Sequence, residues 1–292
     1  MCRPISMRLG LLLLVLAAHG SLIAQTPAAK PLGANVREHK LNSKLMGREI
    51  SYRVVVPAGY FNAKETTRHS VVYLLHGLTG HFSNWTDRTK VAEYALAHKY
   101  IIVMPEGDNG WYTDSVSKAN DKYESYIIKE LIPEIDAKYR TIAERDHRAI
   151  TGLSMGGYGG VKFGLKYPEM FSLAASFSGA LGAASYSEKT AGAIGKAMEA
   201  IYGPDDSDTR KANDIFKIVR DLTPEKIKAL PFIYQSCGTE DFLIQNNREF
   251  MALLAEKKVK HEYRQHPGVH DWVFWDDQIR EFLDVADRRM KK

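Results

Sequence analysis

Apolar positions along the chain change period in a regular way. Residues 35–44 and 47–57 alternate apolar and polar side chains on either side of Gly47, which predicts an antiparallel hairpin. Val71-Val-Tyr-Leu-Leu75 has no polar interruption and stops at His76-Gly77. Such a run predicts a strand buried on both faces. A helical stretch follows over about 87–98, then a second buried strand, Ile101-Ile-Val-Met104, stopped by Pro105. Helical spacing returns over 120–138, with Tyr123, Tyr126, Ile127 and Leu131 on one side. Arg148-Ala-Ile-Thr-Gly152 predicts a short strand running straight into a glycine-rich turn and a helix over about 155–166. Further strands are expected at 173–177, 232–236 and 261–265, with helices near 243–257 and 272–289.

Alternation of this kind predicts an α/β fold: one doubly wound, mostly parallel sheet with helices on both faces. No internal repeat or linker divides residues 35–292. Residues 181–229 break the rhythm with Ala/Gly-rich and charged helical pieces, and are expected to form a small helical insertion over the sheet rather than a domain.

The first residues follow another pattern. Arg3 and Arg8 precede the apolar run Leu9-Gly-Leu-Leu-Leu-Leu-Val-Leu-Ala-Ala18, and mostly small and polar residues follow. A basic segment, a short apolar core and a small-residue exit predict a signal peptide over 1–24, cleaved near Ala24, and hence a secreted or periplasmic protein. The apolar run is short for a membrane span. Residues 25–34 read as a flexible leader.

Composition adds mainly exclusions. The 292 residues are 45% hydrophobic and 26% charged, an ordinary globular balance. The formal net charge is +5, and loss of Arg3 and Arg8 leaves +3. No basic stripe with interleaved aromatics accompanies that small excess, so nucleic acid is not an expected partner. Cys2 and Cys237 can form neither a disulfide framework nor a cysteine zinc site. No metal or cofactor is expected: Pro267 and Gly268 keep His266 and His270 from forming a helical zinc pair.

The candidate chemistry begins at Gly152-Leu-Ser-Met-Gly156, a G-x-S-x-G motif between an expected strand and an expected helix, which is the context it requires. The turn is tight enough that its flanking positions must lack side chains. It lifts the Ser154 hydroxyl clear at a helix N-terminus, where a developing anion is favoured. A serine nucleophile needs a base. His270, in a glycine-flanked loop between the last strand and the last helix, fits the chain order Ser, acid, His. The acid is expected after the preceding strand, where Glu240 and Asp241 stand side by side. Spacing alone leaves both open. An oxyanion hole needs two N–H donors. Met155 supplies one, and Leu78, in the loop after the first buried strand, is chosen for the other.

Several segments occur together in order: His76-Gly-Leu-Thr-Gly80 with Trp85, Asp108-Asn-Gly-Trp-Tyr-Thr-Asp114, Gly152-Leu-Ser-Met-Gly-Gly-Tyr-Gly159, Phe177-Ser-Gly-Ala180, Gly238-Thr-Glu-Asp-Phe-Leu243 and Gly268-Val-His-Asp-Trp272. Across about residues 35–290 the chain resembles the esterase D-like esterases of the α/β-hydrolase fold, tributyrin esterases especially. The resemblance implies a triad of Ser154, Asp241 and His270, with Leu78 and Met155 as oxyanion donors. It favours Asp241 over Glu240 because the family acid immediately precedes the Phe-Leu pair. It also implies a carboxylesterase acting on short acyl chains, with a small-molecule or carbohydrate ester as partner. S-formylglutathione hydrolases, feruloyl and acetyl-xylan esterases and mycolyltransferases share the superfamily. A catalytically inactive binding module is the alternative of another class. Trp111 and Tyr112 are candidates for lining the substrate pocket or for packing beneath their loop. Asp114 is expected to hold that loop, and Cys237 to be a small buried residue.

Overall fold

In a computed structural model, residues 32–62, 64 and 66–290 are described here. The expected signal peptide and most of the leader lie outside that range. Eight strands form one sheet: β1 Val36–Ser43, β2 Arg48–Val55, β3 Ser70–Leu75, β4 Tyr100–Pro105, β5 Arg148–Gly152, β6 Leu173–Phe177, β7 Phe232–Gly238 and β8 His261–His266. Their order across the sheet is β1-β2-β4-β3-β5-β6-β7-β8. The β1–β2 hairpin is antiparallel, with Val36 opposite Val55, and β2 joins β4 antiparallel. Every other pairing is parallel.

The continuous apolar runs are explained by helices on both faces. Alternate residues of β3 enter opposite cores: Val71, Tyr73 and Leu75 on one side, Val72 and Leu74 on the other. The same split divides Ile101 and Val103 of β4 from Ile102 and Met104. Leu131, Val161 and Phe250, from three different helices, contribute to the first core. The second is closed by Val91 and by Ile279, Phe282 and Leu283 of the long helix Trp272–Arg289. Side chains that are fully removed from water on both faces supply most of the driving force for such a sheet.

Two expected helices have different shapes. The stretch over 87–98 is two helices, Asn84–Arg88 and Val91–Ala97. Thr89 is extended between them, and the Lys90 N–H donates to Asp276 of the last helix at 2.7 Å instead of continuing a turn. The stretch over 120–138 begins at Tyr123 and widens into a π-helical turn, Ile127–Leu131, before Ile132–Lys138. Pro133, which has no N–H to give the preceding turn, follows the widening. Glu130, inside the π turn, accepts the N–H groups of Lys44 and Leu45 at 3.0 and 3.1 Å and so clasps the β1–β2 turn.

Between β6 and β7, residues 181–229 form a series of short helices, Ala183–Ser185, Glu188–Tyr202, Asp208–Asn213, Ile215–Arg220 and Pro224–Ala229. Arg210 ties these pieces together. It is buried and donates to the carbonyls of Ala184 and Tyr186 at 2.9 Å and of Gly203 at 2.8 Å.

Candidate active site

The carboxyl ends of the parallel strands carry the loops in which the sequence placed its chemistry. β5 ends at Gly152 and the helix Met155–Lys166 starts three residues later. A turn this abrupt forces Ser154 to φ 53° and ψ −114°, outside the regions a residue with a side chain prefers. It also presses the flanking glycines onto β3. A Cβ on Gly152 or on Gly156 would each come within 2.5 Å of the Leu75 carbonyl oxygen.

His270 follows β8 in a loop whose Gly268 has φ 151°. Its Nε2 lies 3.0 Å from Ser154 Oγ, and its Nδ1 lies 2.8 Å from Asp241 Oδ2. Residues 116 and 29 positions apart in sequence thus form one hydrogen-bonded chain. The imidazole is held between two rings, with Phe242 at 4.6 Å and Trp275 edge-on at 4.9 Å between centroids.

The adjacent carboxylates separate cleanly. Asp241 is buried; its second oxygen accepts the Leu243 N–H at 2.8 Å. Burial opposes its charge, but the hydrogen bonds from His270 and Leu243 win and hold its carboxyl below the usual range. Glu240 points the other way, into solvent. It accepts the Gly268 N–H at 2.6 Å and the Thr239 hydroxyl at 2.7 Å, bracing the loop that leads to His270.

Ser154 and His270 open into a pocket of about 490 Å³. Leu153, Ala180, Leu243, Trp272 and Trp275 give it an apolar wall, Tyr186 and Ile194 come from the helical insertion, and Phe242 stands exposed at its rim. Of the two aromatic residues expected at the pocket, Trp111 lines it. Tyr112 does not: it is fully buried behind the loop, with its hydroxyl donating to the His76 carbonyl at 2.8 Å. That correction follows from the alternation of neighbouring side chains across a loop, one outward and one inward. Asp114 accepts the Ser125 N–H and hydroxyl at 2.9 and 2.6 Å and so holds its loop. Cys237 is buried, and burial beside the charged Asp241 pushes its thiol up to about 12. His266 pairs with Glu281 at 3.4 Å.

Leu78 lies on the pocket wall. Among the described residues, neither its N–H nor that of Met155 enters a hydrogen bond, whereas the Ser154 and Gly156 N–H groups bond to the Phe177 and Leu153 carbonyls. The free Met155 amide is one of the donors that a helix leaves unsatisfied at its first turn.

Three residues around the site were not singled out from the sequence. Glu106 accepts from the Asp108 N–H at 2.8 Å and lies 3.0 Å from His76 Nε2. Burial would raise its carboxyl, yet the His76 and N–H contacts hold it at about 2. Asn109 accepts the Thr79 N–H. Lys162 is wholly buried under the Ser154 turn and donates to the Tyr112 carbonyl, Thr113 Oγ1 and Glu124 Oε2 at 2.6, 2.7 and 2.9 Å. Burial lowers its ammonium to about 8 against the pull of Glu124, which is itself held at about 2. Apart from the local Asp108 N–H to Glu106 bond, these contacts join positions about 30 or more apart, and no local spacing marks such a pair in advance.

A mostly parallel sheet with helices on both faces, and a serine lifted at its carboxyl edge toward a histidine and a buried aspartate, define the class: an α/β-hydrolase fold. The family model described as "Putative esterase" matches residues 43–284, and the chain belongs to that family as an esterase of α/β-hydrolase type. It is 28% identical to an acetyl esterase of Caldicellulosiruptor saccharolyticus over 247 residues, spanning 81% of this chain and 92% of the relative. The fluorophosphonate-binding serine hydrolase FphF of Staphylococcus aureus superposes with a TM-score of 0.75 at 26% identity, covering 86% of this chain and 97% of that one. A ferulic acid esterase matches as well, with the same TM-score and identity, over 87% and 98% of the two chains.

Proposed function

We propose that the protein is a secreted serine carboxylesterase that hydrolyses short-chain acyl esters through an acyl-enzyme at Ser154. The observation that carries this is the unbroken contact Ser154 Oγ–His270 Nε2–Asp241 at the mouth of an apolar pocket. His270 takes the hydroxyl proton as Ser154 attacks the acyl carbonyl. Asp241 fixes the imidazole with Nδ1–H toward itself and stabilises the imidazolium that forms. Leu78 and Met155 N–H groups stabilise the tetrahedral oxyanion, a contribution of roughly 10²–10³ in rate per donor in comparable sites. His270 then protonates the departing alcohol, and water repeats the sequence on the acyl-enzyme.

Trp111 and Tyr186, whose rings meet edge-on at 6.4 Å, line the pocket with Ser154; the resemblance to tributyrin esterases and the modest helical insertion in place of a long apolar lid support a preference for about C2 to C6. A second substrate class, aromatic or acetyl esters of carbohydrates, is favoured by the same aromatic wall and by the acetyl esterase and ferulic acid esterase similarities. Comparing kcat/KM for p-nitrophenyl acetate, butyrate and palmitate with methyl ferulate and S-formylglutathione decides among them. The proposal expects butyrate or acetate to lead. Faster palmitate hydrolysis overturns the chain-length preference, and a leading methyl ferulate establishes the second class.

Export is supported by the Arg-flanked apolar run and its small-residue exit. N-terminal sequencing of extracytoplasmic protein is expected to start near Gln25, and a Met1 or Met7 start in that fraction overturns cleavage.

A further inference from the structure

The loop that follows β3 and the loop that follows β4 are joined by several contacts, among them a Gly107 N–H donated to His76 Nε2 at 2.9 Å. Tyr112 donates its hydroxyl to the His76 carbonyl at 2.8 Å. His76 Nδ1 donates to the Gly77 carbonyl at 2.8 Å, while its Nε2 lies against Glu106 at 3.0 Å. Asn109 Oδ1 accepts the Thr79 N–H at 2.8 Å. Thr79 itself is left-handed, with φ 61°, and so are Asp108, Trp111 and Tyr112 across from it, at 45°, 51° and 53°. Left-handed conformations of residues with side chains persist only where surrounding bonds over-determine them, and they gather at functional sites.

Leu78 sits between the two anchored residues. The Gly77 carbonyl accepts from His76 Nδ1 and from the Gly80 N–H at 3.0 Å, Asn109 takes the Thr79 N–H, and Leu78 between them lines the pocket with its own N–H unbonded. The Thr79 N–H, by contrast, is taken by Asn109 and is no free donor. We propose that Asn109 is a positioning residue for the oxyanion hole: by accepting the Thr79 N–H it fixes the Leu78–Thr79 peptide, and with the Gly77–Leu78 peptide held through the Gly77 carbonyl this sets the backbone of Leu78 and so the direction its N–H takes toward the developing oxyanion. The inference rests on the serine-esterase mechanism proposed above. Asn109 touches no reacting atom, and its side chain is exposed, so the fold does not depend on burying it.

The geometry predicts a selective defect. Without the acceptor, Thr79 relaxes out of its left-handed conformation and the Leu78 N–H turns with it. The ground-state ester, held by the apolar walls, is bound as before, but the transition state loses part of one donor. Asn109→Ala is expected to lower kcat about 30-fold, below the full loss of a donor, with KM within about twofold. Binding of a trifluoromethyl ketone, whose adduct carries the oxyanion, weakens by a similar factor. Asn109→Asp keeps an acceptor oxygen and is expected to retain kcat within about fivefold of wild type.

End-point labelling with a fluorophosphonate separates the two levels of claim. Wild type that fails to label at Ser154 refutes the serine-esterase mechanism itself. Where wild type and Asn109→Ala both label fully at Ser154, the kinetic comparison tests the positioning role alone. Parallel losses in kcat and in ketone affinity, rescued by Asn109→Asp, support it. An Asn109→Ala protein with kcat and ketone affinity unchanged, or one whose defect lies in KM or melting temperature only, overturns it.

Discussion

The two ends of the same sheet are built on different terms. At the amino ends of the parallel strands, side chains bond to one another and positive φ is rare. Tyr100, which opens β4, donates to Asp287 at 2.8 Å, and His98 Nδ1 lies 2.9 Å from the same carboxylate. Arg148, which opens β5, pairs with Asp136 at 2.8 Å, and Ser70 of β3 meets His147 at 2.9 Å. At the carboxyl ends the backbone itself is constrained. Thr79, Asp108, Trp111, Tyr112, Ser154 and Ser178 all have positive φ, and among the described residues other than glycine only Lys258, which leads into the amino end of β8, joins them. Each such residue costs on the order of 1–3 kcal/mol. Strain therefore gathers at the edge where Ser154, Asp241 and His270 meet, and the opposite edge contributes stability. Loops at the carboxyl ends of a parallel sheet are free to take special geometry because the rigid strands beneath them carry the fold.

The difference can be broken from either end. The largest effect is expected for Ser154→Ala, which removes one oxygen from a turn whose glycines remain. Ester turnover falls by about 10⁴-fold or more, while circular dichroism and the melting temperature stay near wild type. Retention of a tenth of the activity in protein free of contaminating esterase refutes Ser154 as nucleophile.

Next comes the pair of neighbouring carboxylates. Asp241→Asn leaves an amide that favours the wrong His270 tautomer, and kcat is expected to fall roughly 10³–10⁴-fold by analogy with the serine protease triad. Glu240→Gln keeps an acceptor for the Gly268 N–H and should cost less than about tenfold. The reverse ranking moves the acid to Glu240.

A third effect follows from acid. Glu106 and Glu124 are both held at about 2, below their ordinary 4.5. A carboxyl whose folded-state value is depressed contributes stability that is fully present above 4.5 and is lost as pH falls toward 2. Melting temperature should drop steadily over that window, and less steeply in Glu106→Gln. A slope unchanged by that substitution removes Glu106 from the account.

The smallest effect belongs to the amino end. His98→Ala removes one partly buried contact to Asp287, which keeps its Tyr100 hydroxyl. A loss of about 1 kcal/mol, or roughly 2–4 °C in melting temperature, is expected with kcat/KM unchanged. A change in kcat/KM would show that the two ends are coupled.

The same contrast explains what the sequence disclosed. β3 and β4 were legible because a strand buried on both faces must be apolar at every position, and the turn at Ser154 because its close approach to Leu75 admits only glycine at 152 and 156. The paired carboxylates at 240 and 241 were visible as candidates, but their directions depend on a turn conformation, and only the family resemblance favoured Asp241. Lys162 shows the opposite case. A lysine in a mostly apolar, glycine-rich helix reads locally as a solvent-facing residue, and its burial exists because Glu124 and the Tyr112 carbonyl arrive from elsewhere in the chain. The break at Thr89 was hidden for the same reason, since Asp276 lies 186 residues beyond Lys90.

Mass spectrometry after reaction with a fluorophosphonate tests the central claim most directly, because only a serine activated by its histidine and served by an oxyanion hole reacts at a useful rate. One equivalent of adduct on the peptide containing Ser154, formed in parallel with loss of ester hydrolysis and absent in Ser154→Ala, is the expected result. Full inhibition with the adduct on another residue, or an active enzyme that stays unlabelled at Ser154, would contradict it.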